Sequence, residues 1–450
     1  MSFLSAPKTQ VSVGSNMAPR ATDSSATGNP RNKTSLKPGR SLMDWIRLGQ
    51  SGQDLTGVGG KMQRVTTEEL AKHNKLTDAW TAIRGSQGKQ DFSQNWVSRF
   101  FEVKRYEWLQ SNASITIVVY TRWRHMRQEN VIIDRQNKDL CITLLIEDHL
   151  YTLHQDLCDN IDSIEVNVKR PSGKVELILT KSEPGKQWAS LGSPLSKHQT
   201  WISTVESDVV YRKWRLNEIT NITHDTNLYK FEPPEGTIMR VPLGHHVHAQ
   251  ADVAGMQVSR SYTVVPPSLE QQTPKGCLYL MVKVYPNGAL SSLFGKLKTG
   301  DELQLSNHEG KFLEESLDDV RSLILCAAGT GFTPMAGLIQ HSLFTHPDPD
   351  RKICLLFFNK TERDIFWRDQ LDMLAQNVTN FRVVYVLSEP HANWTGSKGR
   401  IREELLQDVI PSNDEKRLFC ACGPSAFTNQ AVEFAKGLGC DEDSIHAFVG

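Results

Sequence analysis

From residue 322 onward the chain alternates short apolar runs with segments of helical periodicity: "SLILCAA", "PMAGLIQHSLF", "KICLLFFN", "DIFWRDQLDMLAQ", "FRVVYVLS" and "KRLFCACG". A run that is apolar throughout, without period-2 alternation, reads as a strand buried on both faces. Such strands separated by helices pair in parallel through crossovers. The pattern predicts a doubly wound α/β domain over residues 319–450.

In an open parallel sheet the ligand crevice lies at the carboxyl ends of the strands, where helix N-termini offer unpaired N–H groups to phosphate. The first strand of this sheet runs there into "GTGFTPM". Gly329 and Gly331 allow close backbone approach, Thr333 is expected to cap the following helix, and Pro334 suits its first turn. A nucleotide-pyrophosphate seat and an ordinary glycine turn both fit, because the full G-x-G-x-x-G spacing, with Thr330 inside it, is absent. A second turn, Cys422-Gly423-Pro424, ends the last strand of the same sheet and favours the nucleotide. Cys422 would lie beside a reactive ring or act as a small buried hydrophobe. Cys420 and Cys422, with one residue between them, are too close for the usual zinc pair, and we assign no metal ligands from the sequence.

Upstream the texture is all-β. Period-2 strands with Gly/Pro turns predict a small β-sandwich over 104–205, then an antiparallel barrel over 211–318. In the barrel, "RSYTVVP" offers a guanidinium fork, an aromatic face and a hydroxyl from Arg260, Tyr262 and Thr263, with Ser261 between them. Alternation in "LYLMVKVY" turns Val282 to the core side and Lys283 and Tyr285 away from it. "NGALSS", with Gly288, Leu290 and Ser291, is a further stretch able to present N–H groups to phosphate. His245 and His246 read as packing or exposed residues rather than proton donors.

The first 40 residues are rich in Ser, Thr, Pro, Gly and Asn and are expected to be disordered. Residues 41–103 hold an amphipathic segment near Leu42–Leu48, a capping box at Thr66 and Glu69, and a strand candidate in "DAWTAIRG". With 51 basic and 51 acidic residues, no overall field exists to hold nucleic acid. Eight scattered cysteines lack a disulfide framework, and no signal peptide, myristoylation site or membrane-length apolar run is visible. A cytoplasmic protein is expected, with association at the cytosolic face of the endoplasmic reticulum left open.

"PLGHHV", "RSYT", "VKVY", "GALSS", "GTGFTPM", "FFNKTERDI" and "CGPSAF", in this order over about residues 212–450, resemble the NADH-cytochrome b5 reductase branch of the flavoprotein reductases. The resemblance implies an FAD-binding β-barrel and a domain for NAD(P)H. It places Arg260, Tyr262 and Thr263 on the FAD phosphate, ribityl chain and isoalloxazine, with Ser291 helping at the pyrophosphate. Lys283, Gly329, Thr330 and Cys422 to Pro424 would position the pyridine nucleotide. Ser261, Val282, Tyr285, Gly288, Leu290, Gly331, Thr333 and Pro334 complete the cofactor-binding set. Hydride would pass from nicotinamide to flavin N5, with Thr263, Lys283 and Cys422 as the catalytic group, and electrons would leave singly to a haem protein, ferric ion or dye.

"YEWLQSNASITIVVYT" resembles the start of a CS domain, a fold implying a protein partner, and the N-terminal segments resemble part of reductases fused to cytochrome b5 and CS domains. One departure matters. A cytochrome b5 fold holds haem between two histidines, the first in an HPGG loop, but no histidine lies between His73 and His125 and HPGG is absent. Haem b is therefore not expected, and 41–103 would be a truncated remnant. Ser388 stands where NADH-selective relatives often carry Asp, so it does not repel the 2′-phosphate of NADPH. The alternative from another class is a CS-type scaffold whose reductase half is vestigial.

Overall fold

The computed structural model describes residues 74–75, 78–79 and 106–448, apart from 254, 275 and 412–415. The chain divides into two compact units, Met1–Trp96 and Val97–Gly450. In the first, Asn74–Lys75 pairs with Asp78–Ala79, inside the "DAWTAIRG" strand candidate. The expected disordered tail, the amphipathic segment and the Thr66 capping box lie outside the described residues.

The second unit opens with the sandwich. Strands β1 (Tyr106–Gln110), β2 (Ser114–Tyr120), β6 (Ile161–Lys169) and β7 (Lys174–Lys181) form one sheet in the order β1-β2-β7-β6. Strands β3 (Val131–Gln136), β4 (Asp139–Ile146), β5 (His149–Leu157) and β8 (Gly192–Pro194) form the other, with β9 (Thr200–Ser203) also on β5. Inward residues alternate as expected: Ile115, Ile117, Leu177 and Leu179 meet Ile142, Leu144 and Leu153 in one core.

The barrel follows with β10 (Tyr211–Thr223), β11 (Thr226–Glu232), β12 (His246–Val253), β13 (Met256–Thr263), β14 (Leu278–Lys283) and β15 (Glu302–Glu309). Their order is β13-β12-β15-β10-β11-β14, and a bridge between Val264 and Leu280 brings the two edge strands together. A short helix, α1 (Ser291–Phe294), places Phe294 in the barrel core with Trp214, Tyr229 and Leu305.

The last sheet is parallel throughout, in the order β19-β18-β17-β16-β20-β21: β16 (Ser322–Ala328), β17 (Lys352–Asn359), β18 (Phe381–Leu387), β19 (Ser397–Lys398), β20 (Arg417–Cys422) and β21 (Ile445–Phe448). Helices α2 (Phe332–Gln340), α3 (Arg368–Asn377), α4 (Glu403–Gln407) and α5 (Ser425–Gly437) make the crossovers. Two boundaries differ from expectation. The first helix continues as a π-turn, His341–Thr345, and the second starts only at Arg368. Before it, the Asp364 carboxylate accepts bonds from the Thr361 N–H at 3.0 Å and hydroxyl at 2.7 Å, closing a separate 3-10 turn. Ile365, Phe366 and Trp367 then enter the core, and Trp367 takes a left-handed φ of 49° that no helix interior tolerates.

Sandwich and barrel interlock. Ile133 and Ile238 exchange backbone hydrogen bonds of 2.9 and 2.8 Å. The Arg212 fork donates to both oxygens of Asp134 at 2.6 Å and to Asn307 Oδ1 at 2.6 Å. His308 Nε2 donates to the Glu129 carbonyl at 2.8 Å, and Arg127 pairs with Glu314 and Glu315. Ile132, at the end of this seam, belongs to the barrel core.

Candidate active site

Two glycine turns meet at the carboxyl edge of the parallel sheet. The chain leaves β16 through a 3-10 turn, Gly329–Gly331, before α2 begins. A Cβ on Gly331 would fall 2.1 Å from the Cys422 carbonyl oxygen and 2.7 Å from the Gly423 nitrogen, so the two turns are in backbone contact and no side chain fits. Gly329 is the opposite case: its φ of +53° suits glycine, and nothing lies within 4 Å of where a Cβ would point. Beyond the second turn, α5 starts at Ser425. Tight backbone with an open approach, at the starts of two helices, is what a pyrophosphate needs.

Thr333 does not cap α2. The 3-10 turn moves the N-cap position to Gly331, and the Thr333 hydroxyl instead donates to the Thr330 carbonyl at 3.0 Å. Pro334 stands in the first turn, as expected. Cys422 ends β20 and its thiol is pushed up to about 12 by burial, so it is a neutral thiol at physiological pH. At the end of β17, Asn359 is 7% exposed, and neither its amide nitrogen nor its oxygen has a partner among the described residues. Sequence reasoning passed over it, although a polar residue closing "KICLLFFN" was a visible signal. An unpaired buried amide is costly unless something pairs it.

On the barrel, Tyr262 lies against Phe294 with ring centroids 5.1 Å apart, and Phe294 in turn meets Tyr229 at 5.1 Å. Burial pushes the Tyr262 phenol up to about 12. Thr263 ends β13 opposite His246, the Ser261 hydroxyl meets His248 Nδ1 at 3.2 Å, and Arg260 is exposed with one bond to the Ser259 carbonyl at 2.7 Å. Val282 and Leu290 are buried in the barrel core, so their side chains form its wall. Ser291 Oγ accepts the Tyr285 N–H at 3.3 Å, which ties Tyr285 and Gly288 to the start of α1. His245 packs inside, with Nε2 3.2 Å from the Phe312 carbonyl, and burial lowers its pKa to about 4.

Strand β14 joins the two halves. Past Thr263, the Val265 N–H donates to the Tyr279 carbonyl at 3.0 Å. Leu278, Leu280 and Val282 of that strand fill the barrel core, while Tyr279 and Met281 enter one cluster with Ala327 and Phe332 of the parallel domain. Lys283 does face away from the barrel core, yet not into solvent. It reaches Asp225 at 3.0 Å and Asp364 at 3.1 Å, bridging barrel and parallel domain. Burial opposes its charge, but these two carboxylates override it and hold its pKa above the ordinary value. The Tyr262 and Cys422 neighbourhoods thus flank a single strand. A cavity of about 350 Å³ lies elsewhere, between the sandwich loop at Trp123–Asn130, the barrel and the end of α2.

Among the described residues no helix is long and apolar enough to cross a membrane.

Comparison with known proteins agrees with this layout. Residues 104–181 match the CS domain model, 213–313 the oxidoreductase FAD-binding domain and 325–433 the oxidoreductase NAD-binding domain. The chain is 34% identical over 501 aligned positions to cytochrome b5 reductase 4 of Xenopus tropicalis, covering 93% of this chain and 95% of that one. It is 33% identical over 512 positions to the Homo sapiens protein of the same name, covering 96% and 98%. A solved structure of the CS-b5R domains of human Ncb5or (NAD+ form) superposes with a TM-score of 0.70 at 35% identity, covering 76% of this chain and 99% of that one. Relatives so similar over nearly their whole length, with both cofactor domains matched, make the chain an FAD-containing, NAD(P)H-dependent oxidoreductase that belongs to the cytochrome b5 reductase 4 family.

Proposed function

We propose that this chain takes hydride from NAD(P)H and passes electrons one at a time to a separate haem protein such as a cytochrome b5, or to ferric or dye acceptors. The observation that carries the reading is the backbone contact between Gly331 and Cys422 beside open space at Gly329, reached from the barrel through β14 and the Lys283–Asp364 pair. FAD, when bound, supplies the conversion from two-electron to one-electron transfer.

The chain's own residues bind and orient. Arg260 would meet FAD phosphate and Ser291 would help at the pyrophosphate, as the phosphate needs a positive fork and an N–H-presenting turn. Tyr262, backed by Phe294, offers a fixed aromatic wall, and Thr263 a hydroxyl toward the flavin. Gly329, Thr330, Gly423 and Pro424 seat the pyridine nucleotide, with Asn359 gaining an amide partner there. Lys283 holds the two domains at a fixed separation, which supports alignment of the two rings. Cys422 contributes a small neutral side chain rather than a nucleophile. Ser388, next to Leu387 at the end of β18 and donating its N–H to the Asn359 carbonyl at 3.0 Å, leaves NADPH as well as NADH admissible.

We assign 104–205 to a CS-like sandwich that recruits a protein partner, 211–318 to the flavin barrel and 319–450 to the nucleotide domain. Within the region before residue 104, residues 41–103 are read as a truncated cytochrome b5 remnant without haem. The 501-position alignment takes in 93% of this 450-residue chain, so the relative carries positions without a counterpart here, as a lost segment would leave. On this reading electrons leave to another molecule. A cytoplasmic location, or one at the cytosolic face of the endoplasmic reticulum, fits such a carrier.

The test is steady-state turnover of the purified chain with NADH or NADPH and either ferricyanide or isolated cytochrome b5. Reduction of both acceptors is expected, and NADPH should be used. Protein that reduces neither acceptor, while still binding a partner through the sandwich, would establish the scaffold reading instead.

A further inference from the structure

His246 and His248 are two residues apart on β12, so both side chains leave the same face of the strand, while Val247 between them is fully buried in the barrel core. Glu309 on β15 pairs directly with His246 across the ladder. The ligand atoms of these three side chains lie within 4.8 Å of one another, and His248 Nε2 is 3.4 Å from Glu309 Oε2. Neighbouring ligands of a tetrahedral zinc lie about 3.4 Å apart, so closing this triad from a spread of up to 4.8 Å takes side-chain movements adding up to about 1.4 Å at most. The second nitrogen of His248 is already engaged, with Nδ1 3.2 Å from the Ser261 hydroxyl, which turns Nε2 toward Glu309. An outer hydrogen bond of this kind is what orients metal-binding imidazoles. Both histidines are half-buried and Glu309 is exposed, which leaves a path from solvent.

Two other triads have comparable spacing, and each already holds a cation. In Glu314, His341 and His346, the acid is paired with Arg127. In His224, Asp225 and Asp364, both acids are bridged by Lys283. Among the described residues, the ion pair found at His246, His248 and Glu309 is the one between His248 and Glu309. The fork of Arg260, on the next strand, is aligned with Ala249, whose side chain belongs to the opposite, core-facing set.

We propose that His246, His248 and Glu309 form a binding site for a divalent transition-metal cation of the zinc class, with water completing its coordination. Imidazole and carboxylate are suitable donors for that class. The site borders the flavin residue Thr263, but its occupancy is read by metal binding alone. Because His246 is the ladder partner of Thr263, an occupied site would stand directly beside the cofactor wall.

Calorimetric titration of the flavin-loaded chain with zinc ion alone, at neutral pH, is the test. One high-affinity equivalent is expected, weakened by at least about tenfold in His248→Gln and in Glu309→Gln. Glu309 is exposed, so its variant should keep the fold, and the flavin absorbance of each sample reports folding independently of zinc. Absence of a high-affinity equivalent in the parent, or equal affinity in both variants, overturns the proposal. Either outcome leaves the hydride-transfer reading untouched, since that reading is judged by turnover without added metal.

Discussion

At the scale of single residues, two glycines two positions apart carry opposite demands. Gly331 has no room for a methyl group because the obstacle is the backbone of Cys422, which cannot move cheaply. Gly331→Ala should therefore lower stability by roughly 2 kcal/mol or more and abolish activity, as seen in thermal melts and turnover. Gly329 faces open space, so Gly329→Ala should cost only about 1 kcal/mol of backbone strain while raising the KM for NADH at least about tenfold. Similar stability losses in both variants would contradict this assignment. His446 gives a pH prediction. It lies 5.0 Å from the Phe312 ring and 4.5 Å from the Phe448 ring, and burial lowers its pKa from the ordinary 6.5. Below pH 6.5 the unfolded chain binds a proton that the folded one resists. Stability present above that pH is then lost as acid is added. In His446→Phe the drop in melting temperature between pH 7.5 and pH 5 should be smaller than in the parent.

At the scale of elements, the sequence displayed most of what builds the site. The change from period-2 strands to strand-helix alternation located the parallel sheet, and alternation in "LYLMVKVY" turned Lys283 away from the barrel core. What alternation could not supply was the identity of the opposing surface. Strand β14 is buried on both faces because a second domain covers it, and Asp364, which meets Lys283, lies 81 residues away. Local signals also misjudged the Thr333 cap and the start of α3, since tertiary packing of Ile365–Trp367 and a 3-10 turn set those boundaries. The Lys283 bridge leads to a further expectation. Removing it in Lys283→Ala leaves Asp364, 7% exposed, without its cationic partner and should cost roughly 1–2 kcal/mol. The same change should lower kcat with NADH more than it lowers flavin content, measured by stopped-flow reduction and by absorbance.

At the scale of the molecule, sandwich and barrel share a seam that no periodicity announced. Asp134 and Arg212 are 78 residues apart, and each looks like an ordinary surface charge in sequence. In the fold Arg212 is 9% exposed and held by three side-chain bonds, so Arg212→Ala should destabilise the chain by about 3 kcal/mol. Calorimetry should show the sandwich and barrel of the parent melting together, with the variant melting in two steps. The same seam makes sandwich and reductase domains of this chain parts of one compact unit, Val97–Gly450. The central claim is that the nucleotide seated at the paired glycine turns faces a flavin held by the barrel within the same chain. Anaerobic addition of NADH to the purified protein, followed by its visible absorbance, tests it directly. Flavin bands that bleach within the mixing time, with no Soret band before or after, are predicted; a colourless protein, or flavin bands that NADH leaves unchanged, would contradict it.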